Sequence, residues 1–230
     1  MRLAIAAFCF SVALTGAVRA APSDPVAGLA ADLIRVAPGI NPKVVVMAID
    51  SLDCANRAQG SVPGGVARRL AVIDYSLPSA QPRLWVFDLQ TRKLLLVERV
   101  AHGRDSGDNT TTRFSNLPGS HQSSLGLFRT SDTYTGHNGY SLRLDGLEPG
   151  FNDRARERAI VIHGASYVSD KTISVRGGVG RSWGCPAVRL EIARSLIDTI
   201  KDGQYLFAYY PDAQWLKHSP LRSCPLVASR

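Results

Sequence analysis

The sequence has no run of lysines and arginines, no internal repeat and no low-complexity segment, and past Ala17 it has no long apolar stretch. Without a basic run or a recognisable nucleic-acid motif, a nucleic-acid partner is not expected. Without a second apolar stretch, nothing after the first residues is long enough to cross a bilayer. Metal-ligand motifs with short spacing are missing as well, so no metal or other cofactor is expected. Cysteine is scarce, at four residues in 230. What remains, 45% hydrophobic and 20% charged, is the composition of an ordinary globular protein with one good core.

The one apolar run opens the chain. Arg2 precedes Leu3 to Ala17, and Val18-Arg19-Ala20 places small residues three and one before a cut. That pattern predicts a signal peptide over residues 1–20, cleaved after Ala20. The run is short for a membrane span and polar chain follows at once. Cys9 lies mid-run, without the small-residue context of a lipidated cysteine. Cleavage deletes Arg2 and Arg19 and no acid, so the net charge falls from +8 to +6. An exported basic protein with no membrane anchor fits an anionic wall polymer in the periplasm or cell envelope.

Three cysteines then remain: Cys54, Cys185 and Cys224. An oxidising compartment pairs structural cysteines, so an odd count leaves one free. Cys185 lies in a Gly-Cys-Pro turn, whereas Cys54 and Cys224 lie near the two ends of the mature chain. A Cys54–Cys224 bridge is expected, with three free thiols as the alternative.

Val26, Leu29, Ala30, Leu33 and Ile34 recur at helical spacing until Pro38-Gly39, and a second helix is predicted from Pro42 to about Asn56. Residues 21–65 read as a small N-terminal helical lobe and linker, and residues 66–230 as the main domain with a C-terminal tail. There the texture changes to strands: Leu70–Tyr75, a hairpin over Leu84–Val97, Ser124–Arg129, Tyr140–Leu144, Ala159–His163 and Gln204–Tyr210. One helix is expected over Arg189–Ile200. Many strands, few helices and no regular alternation give a mainly β, α+β class. Two polar stretches, His102–Ser123 and Thr130–Gly139, read as long loops where a groove would be built.

The sharpest local feature is Gly180-Arg181-Ser182-Trp183-Gly184-Cys185-Pro186. Gly184 allows close backbone approach to a substrate carbonyl. A following helix N-terminus and Arg181 would favour a thiolate, and the amides of Gly184 and Cys185 could hold an oxyanion. A lone cysteine is more often a small core residue. What tips the balance is Ala159-Ile160-Val161-Ile162-His163-Gly164, an apolar strand ending in His-Gly. A free cysteine and a strand-end histidine make the pair that thiol catalysis needs.

His163-Gly164 followed by Ser182-x-Gly184-Cys185 resembles the L,D-transpeptidase catalytic domain, the YkuD-like fold, and within it a murein branch with a Gly-Arg-Ser-Trp-Gly-Cys-Pro-Ala signature. The likeness runs from about Leu70 to Tyr210. It includes Val100-Ala101-His102-Gly103, Phe114-Ser115-Asn116, Pro118-Gly119-Ser120, Ser123-Ser124-Leu125-Gly126 and Gly139-Tyr140-Ser141-Leu142. The resemblance implies a β-sandwich or barrel domain, Cys185 as nucleophile and His163 as base, with the Gly164 carbonyl orienting it. It also implies a substrate groove bordered by Ser124, Gly126, Tyr140, His102, Arg181, Ser182 and Trp183. The implied reaction joins peptidoglycan stem peptides without a cofactor, in a protein expected to be a monomer. Trp183 stands where the usual signature has histidine, and Ala187 where it has arginine.

Three other readings remain open on sequence alone. Water as acceptor would make the same site an L,D-carboxypeptidase or amidase. His102, His163 and Cys185 together could ligate zinc. A non-catalytic wall-binding protein with a structural Cys185 is the third.

Overall fold

The computed structural model describes residues 25–59, 67–222 and 224. The predicted signal peptide and most of the predicted linker fall outside these residues. Two proline-led helices open the described chain: α1 (Pro25–Val36) and α2 (Pro42–Gln59). Proline at the first helical position costs no hydrogen bond, because that N–H has no partner within the helix. Between the helices Gly39 adopts φ +75°, and Asn41 accepts the Lys43 N–H at 3.0 Å to start α2. On α2, Val45, Ala48, Ile49, Leu52 and Ala55 form one buried stripe.

The main domain is one eight-stranded sheet: β1 (Arg69–Asp74), β2 (Leu84–Asp88), β3 (Lys93–Glu98), β4 (Gly126–Gly136), β5 (Gly139–Gly146), β6 (Val161–Gly164), β7 (Ala187–Val188) and β8 (Tyr205–Tyr209). Their spatial order is β3-β2-β1-β8-β4-β5-β6-β7, antiparallel except for the β1–β8 and β6–β7 pairs. Beyond β3, Ala101 bridges Ala187 of β7, with its N–H on the Ala187 carbonyl at 2.7 Å. The two edges therefore meet, and the sheet curls into a nearly closed barrel. Strand β8 is buried throughout and β1 in all but its first residue, and β8 and Leu70–Ile73 of β1 read as apolar runs. Helix α2 packs on β1, β4 and β8, while α4 (Leu190–Ile200) packs on β1, β5 and β6. One continuous apolar core joins Leu33 and Val45 of the N-terminal helices to Val72, Leu127, Phe207 and Ile197. The N-terminal lobe is thus part of the barrel's own core.

Three local expectations are corrected. Thr130–Gly139 is not a loop but the outer half of the β4–β5 hairpin, with Thr135 opposite Tyr140 and Gly136 opposite Gly139. Its Thr and Tyr residues have strand propensity, and they read as loop because this end stands in solvent on both faces. The expected helix is present as α4, but the two-residue strand β7 separates its N-terminus from the Gly-Cys-Pro turn. Two short helices were not foreseen: α3 (Asp170–Arg176), capped by Ser169 on the Thr172 N–H, and α5 (Ala213–His218), capped by Asp212 on the Trp215 N–H.

Glu148 ties α5 to the barrel. This carboxylate is fully buried and accepts from the Leu127 N–H at 2.6 Å, Trp215 Nε1–H at 2.7 Å and Ser219 Oγ–H at 2.6 Å. Gly126 is required beside it: φ is +101°, and a Cβ there would stand 2.3 Å from Glu148 Oε1. Glu148→Gln keeps the shape but turns one acceptor into an NH₂ facing a donor. It is expected to destabilise the fold by about 1–3 kcal/mol, read as a lower urea midpoint with an unchanged slope. An unchanged midpoint would mean this cluster does not hold α5.

Candidate active site

The site is built on β6 and the turn leading into β7. Along β6, Ile162 pairs with Leu142 and points into the main core, so His163, paired with Ser141 and Ala187, points to the opposite face. Ala187 lies there in a second apolar cluster with Ala101, Ala165, Val168 and Val179. His163 Nδ1 lies 3.0 Å from the Gly164 carbonyl oxygen. A carbonyl only accepts, so Nδ1 carries the proton and the lone pair is on Nε2. Burial holds the His163 pKa below the ordinary imidazole value, and the ring is neutral at neutral pH. Gly164 itself has no room for a side chain, since a Cβ would stand 2.9 Å from that of Ala193 on α4.

The cysteine turn is held by Ser182. Its Oγ accepts the Gly184 N–H at 3.1 Å and donates to the Cys185 carbonyl at 2.6 Å. Its backbone bonds His102 O and the Arg104 N–H at 2.9 and 2.8 Å. Gly184 has φ +117°, and a Cβ there would stand 2.8 Å from the Gln122 carbonyl oxygen. Cys185 is the one free cysteine among the described residues, with 9% of its surface exposed. Its thiol donates to the Ala159 carbonyl at 3.6 Å, and the Val161 N–H points at the sulfur. Val161 lies two residues before His163, which is about 6–7 Å along an extended strand.

This environment differs from the one expected for a thiolate. Burial pushes the Cys185 thiol up, opposed by the Val161 N–H and the Arg158 guanidinium. No helix N-terminus lies directly after the cysteine, and Arg181 is turned away, ion-paired with Asp108 and donating to the Gly107 carbonyl at 3.1 Å. The resting pair is a neutral thiol and a neutral imidazole. Of the two amides expected to hold an oxyanion, that of Gly184 is engaged by Ser182, which leaves the Cys185 N–H.

Several residues expected from sequence to border the groove are buried or engaged by other groups. His102 is fully buried: its Nδ1 accepts from Arg83 Nη2 at 2.7 Å, and its Nε2–H donates to the Gly107 carbonyl at 3.2 Å. Burial and Arg83 push its pKa down to about 4. With both nitrogens engaged it can neither touch substrate nor complete a zinc site with His163 and Cys185. Among the described residues no group of three His, Cys, Asp or Glu side chains could hold a metal ion. Ser124 is buried against the Ser115 carbonyl and Arg158. Gly126 packs on Glu148. Tyr140 is on the face opposite His163, with its hydroxyl donating to Asp198 of α4 at 2.8 Å and Arg194 over its ring. Ser182 shapes the turn and is 6% exposed.

Trp183 is the exception, being 68% exposed two residues before Cys185. Its ring lies 4.9 Å from that of His121, with the Arg104 guanidinium 5.7 Å above it. Arg181 borders a cavity of about 430 Å³, lined also by Asp108, Asn109, Arg176, Gly178 and Val179. Sequence reasoning passed over Arg158, Tyr167 and His121. The first could have been noticed as a charge set immediately before a buried apolar run.

A family model described as the L,D-transpeptidase catalytic domain matches residues 36–209, well over half of the chain. The chain belongs to this family. The match reaches back through α2, further than the likeness first seen from Leu70. No curated protein matches the chain in sequence. Among solved structures, it is similar to an L,D-transpeptidase from Mycobacterium smegmatis at 12% identity and TM-score 0.39, covering 63% of this chain and 59% of that one. An L,D-transpeptidase from Stackebrandtia nassauensis gives 13% identity and TM-score 0.38, covering 80% and 77%. L,D-transpeptidase 3 from Mycobacterium tuberculosis gives 10% and 0.39, covering 62% and 61%. The chain thus spans about three fifths of the length of two of these structures. Among the described residues no helix is long and apolar enough to cross a membrane.

Proposed function

We propose that the protein is a cysteine-dependent L,D-transpeptidase that joins peptidoglycan stem peptides in the cell envelope. What supports this reading is the family match, together with a free, turn-held Cys185 and a neutral His163 whose Nδ1–H is fixed by the Gly164 carbonyl.

In the first half-reaction the thiol proton passes to His163 Nε2 as sulfur adds to the carbonyl carbon of the third residue of a tetrapeptide stem. The Cys185 N–H faces the developing oxyanion; one such donor contributes roughly 3 kcal/mol to barrier lowering. Collapse breaks the C–N bond, His163 Nε2–H protonates the departing amine, and D-alanine leaves a thioester on Cys185. The side-chain amine of a second stem then attacks and its proton goes to His163. The C–S bond breaks, the sulfur recovers that proton, and a 3→3 cross-link is released. The basic surface favours encounter with a carboxylate-rich wall. Exposed Trp183 is the residue of the cysteine turn best placed to meet the peptide.

The test is mass spectrometry of purified protein incubated with tetrapeptide muropeptides. Joined stems one D-alanine lighter than the sum of two support the reading. Tripeptide alone moves the assignment to a carboxypeptidase, and binding to sacculi without any covalent change sinks the catalytic role.

A further inference from the structure

Arg158 stands at the foot of β6, in the turn where the Cys185 thiol finds its carbonyl acceptor. Its guanidinium makes four hydrogen bonds. Nη1 donates to the Ser115 carbonyl at 2.7 Å and to Ser124 Oγ at 2.5 Å; Nη2 donates to the Gln122 carbonyl at 2.6 Å and to Ser120 Oγ at 3.1 Å. All four acceptors are neutral, and none of its partners is a carboxylate. A part-buried cation satisfied in this way is fixed in position but keeps its charge uncompensated. The same group lies against the nucleophile turn, for a Cβ on Gly184 would stand 3.4 Å from Nη2.

The other titratable groups around the sulfur supply no charge. Burial pushes Tyr75 and Tyr167 both up to about 12, so both are neutral phenols, and His163 is a neutral imidazole. Arg181 is spent on Asp108. Arg104 lies over the exposed Trp183 ring, whereas the charge that acts on the Cys185 sulfur is that of Arg158.

We propose that Arg158 is a positioning residue for the nucleophile, clamped by the 115–124 loop so that its guanidinium stabilises the negative charge that develops on Cys185 as the thiol proton leaves. This rests on reading Cys185 as the nucleophile, but its test needs no wall substrate. The rate of Cys185 alkylation by iodoacetamide is followed against pH in the wild type, Arg158→Met and Arg158→Lys. An opposite charge at close range lowers a pKa by about 1–3 units, so Arg158→Met should move the midpoint upward and slow alkylation at neutral pH roughly tenfold or more. Arg158→Lys should restore most of it. An unmoved midpoint in Arg158→Met overturns the proposal. So does a shift of the same size in Ser120→Ala, which removes one acceptor and no charge.

If Arg158→Met fails to fold, the wild type decides. Its rate ratio for anionic iodoacetate over neutral iodoacetamide should exceed that of an unstructured cysteine peptide several-fold, and a ratio at or below the peptide's overturns the idea. If these results hold while muropeptides stay unchanged, the proposed reaction fails and the role of Arg158 stands.

Discussion

Replacing Cys185 by alanine is expected to abolish muropeptide joining, a loss of roughly a thousandfold or more, because a nucleophile has no substitute in a two-step acyl transfer. The protein should still fold. The substitution keeps Cβ and removes one weak S–H···O contact to Ala159, whereas the turn is held by Ser182, Gly184 and the backbone bonds to His102 and Arg104. His163→Gln should follow with a loss of roughly a hundred- to ten-thousandfold, the usual contribution of a general base. The acid side of the pH profile adds a check. Burial lowers the His163 pKa, so the base form persists below the pH at which an ordinary imidazole is protonated, and activity should be lost only on further acidification. Cross-linking that survives in Cys185→Ala would remove the thiol mechanism altogether.

The pair proposed for catalysis stands out in the sequence because each member has a local signature. A histidine closing an apolar strand and a cysteine between glycine and proline can be seen without knowing the fold. The groove was not legible, for reasons of parity and range. Tyr140 and Ser141 are adjacent in sequence, yet only Ser141 shares the face of His163, and that is fixed by pairing to β6. His102 looked available as a second imidazole; it is locked because Arg83, nineteen residues earlier, hydrogen-bonds its ring. The environment of Arg158 depends on four loop residues converging on one guanidinium, which no spacing rule shows. In the helices the apolar period of α1 and α2 was sufficient, whereas α3 and α5, at 7 and 6 residues, are too short to display one. Their only signals were the caps, Ser169 and Asp212.

The Cys54→Ser, Cys224→Ser double variant is expected to lose far more stability than any surface change. The structure joins Cys54 of α2 to Cys224 across 170 residues of chain, with Cα atoms 5.8 Å apart. Closing a loop of that length restricts the unfolded chain, and the entropy model gives about 5 kcal/mol, with typical native bridges nearer 2–4. The larger figure is a ceiling here, because the C-terminal segment is also held by packing. Trp215 and Leu221 are buried, and the turn Pro220–Arg222 rests on α2. Those contacts should keep the variant folded at low temperature with the bridge gone. The measurement is urea unfolding of wild type and variant, each with and without a thiol reductant. Reductant should lower the wild-type midpoint to that of the variant and leave the variant's own midpoint in place. Alkylation of Cys185 below the transition should stay at the wild-type rate in both, since neither bridging cysteine contacts the site. Equal midpoints for oxidised wild type and variant would show that packing alone holds the C-terminal segment to α2. Structural disulfides form and persist chiefly in oxidising compartments, so the bridge is consistent with the cell-envelope role proposed above.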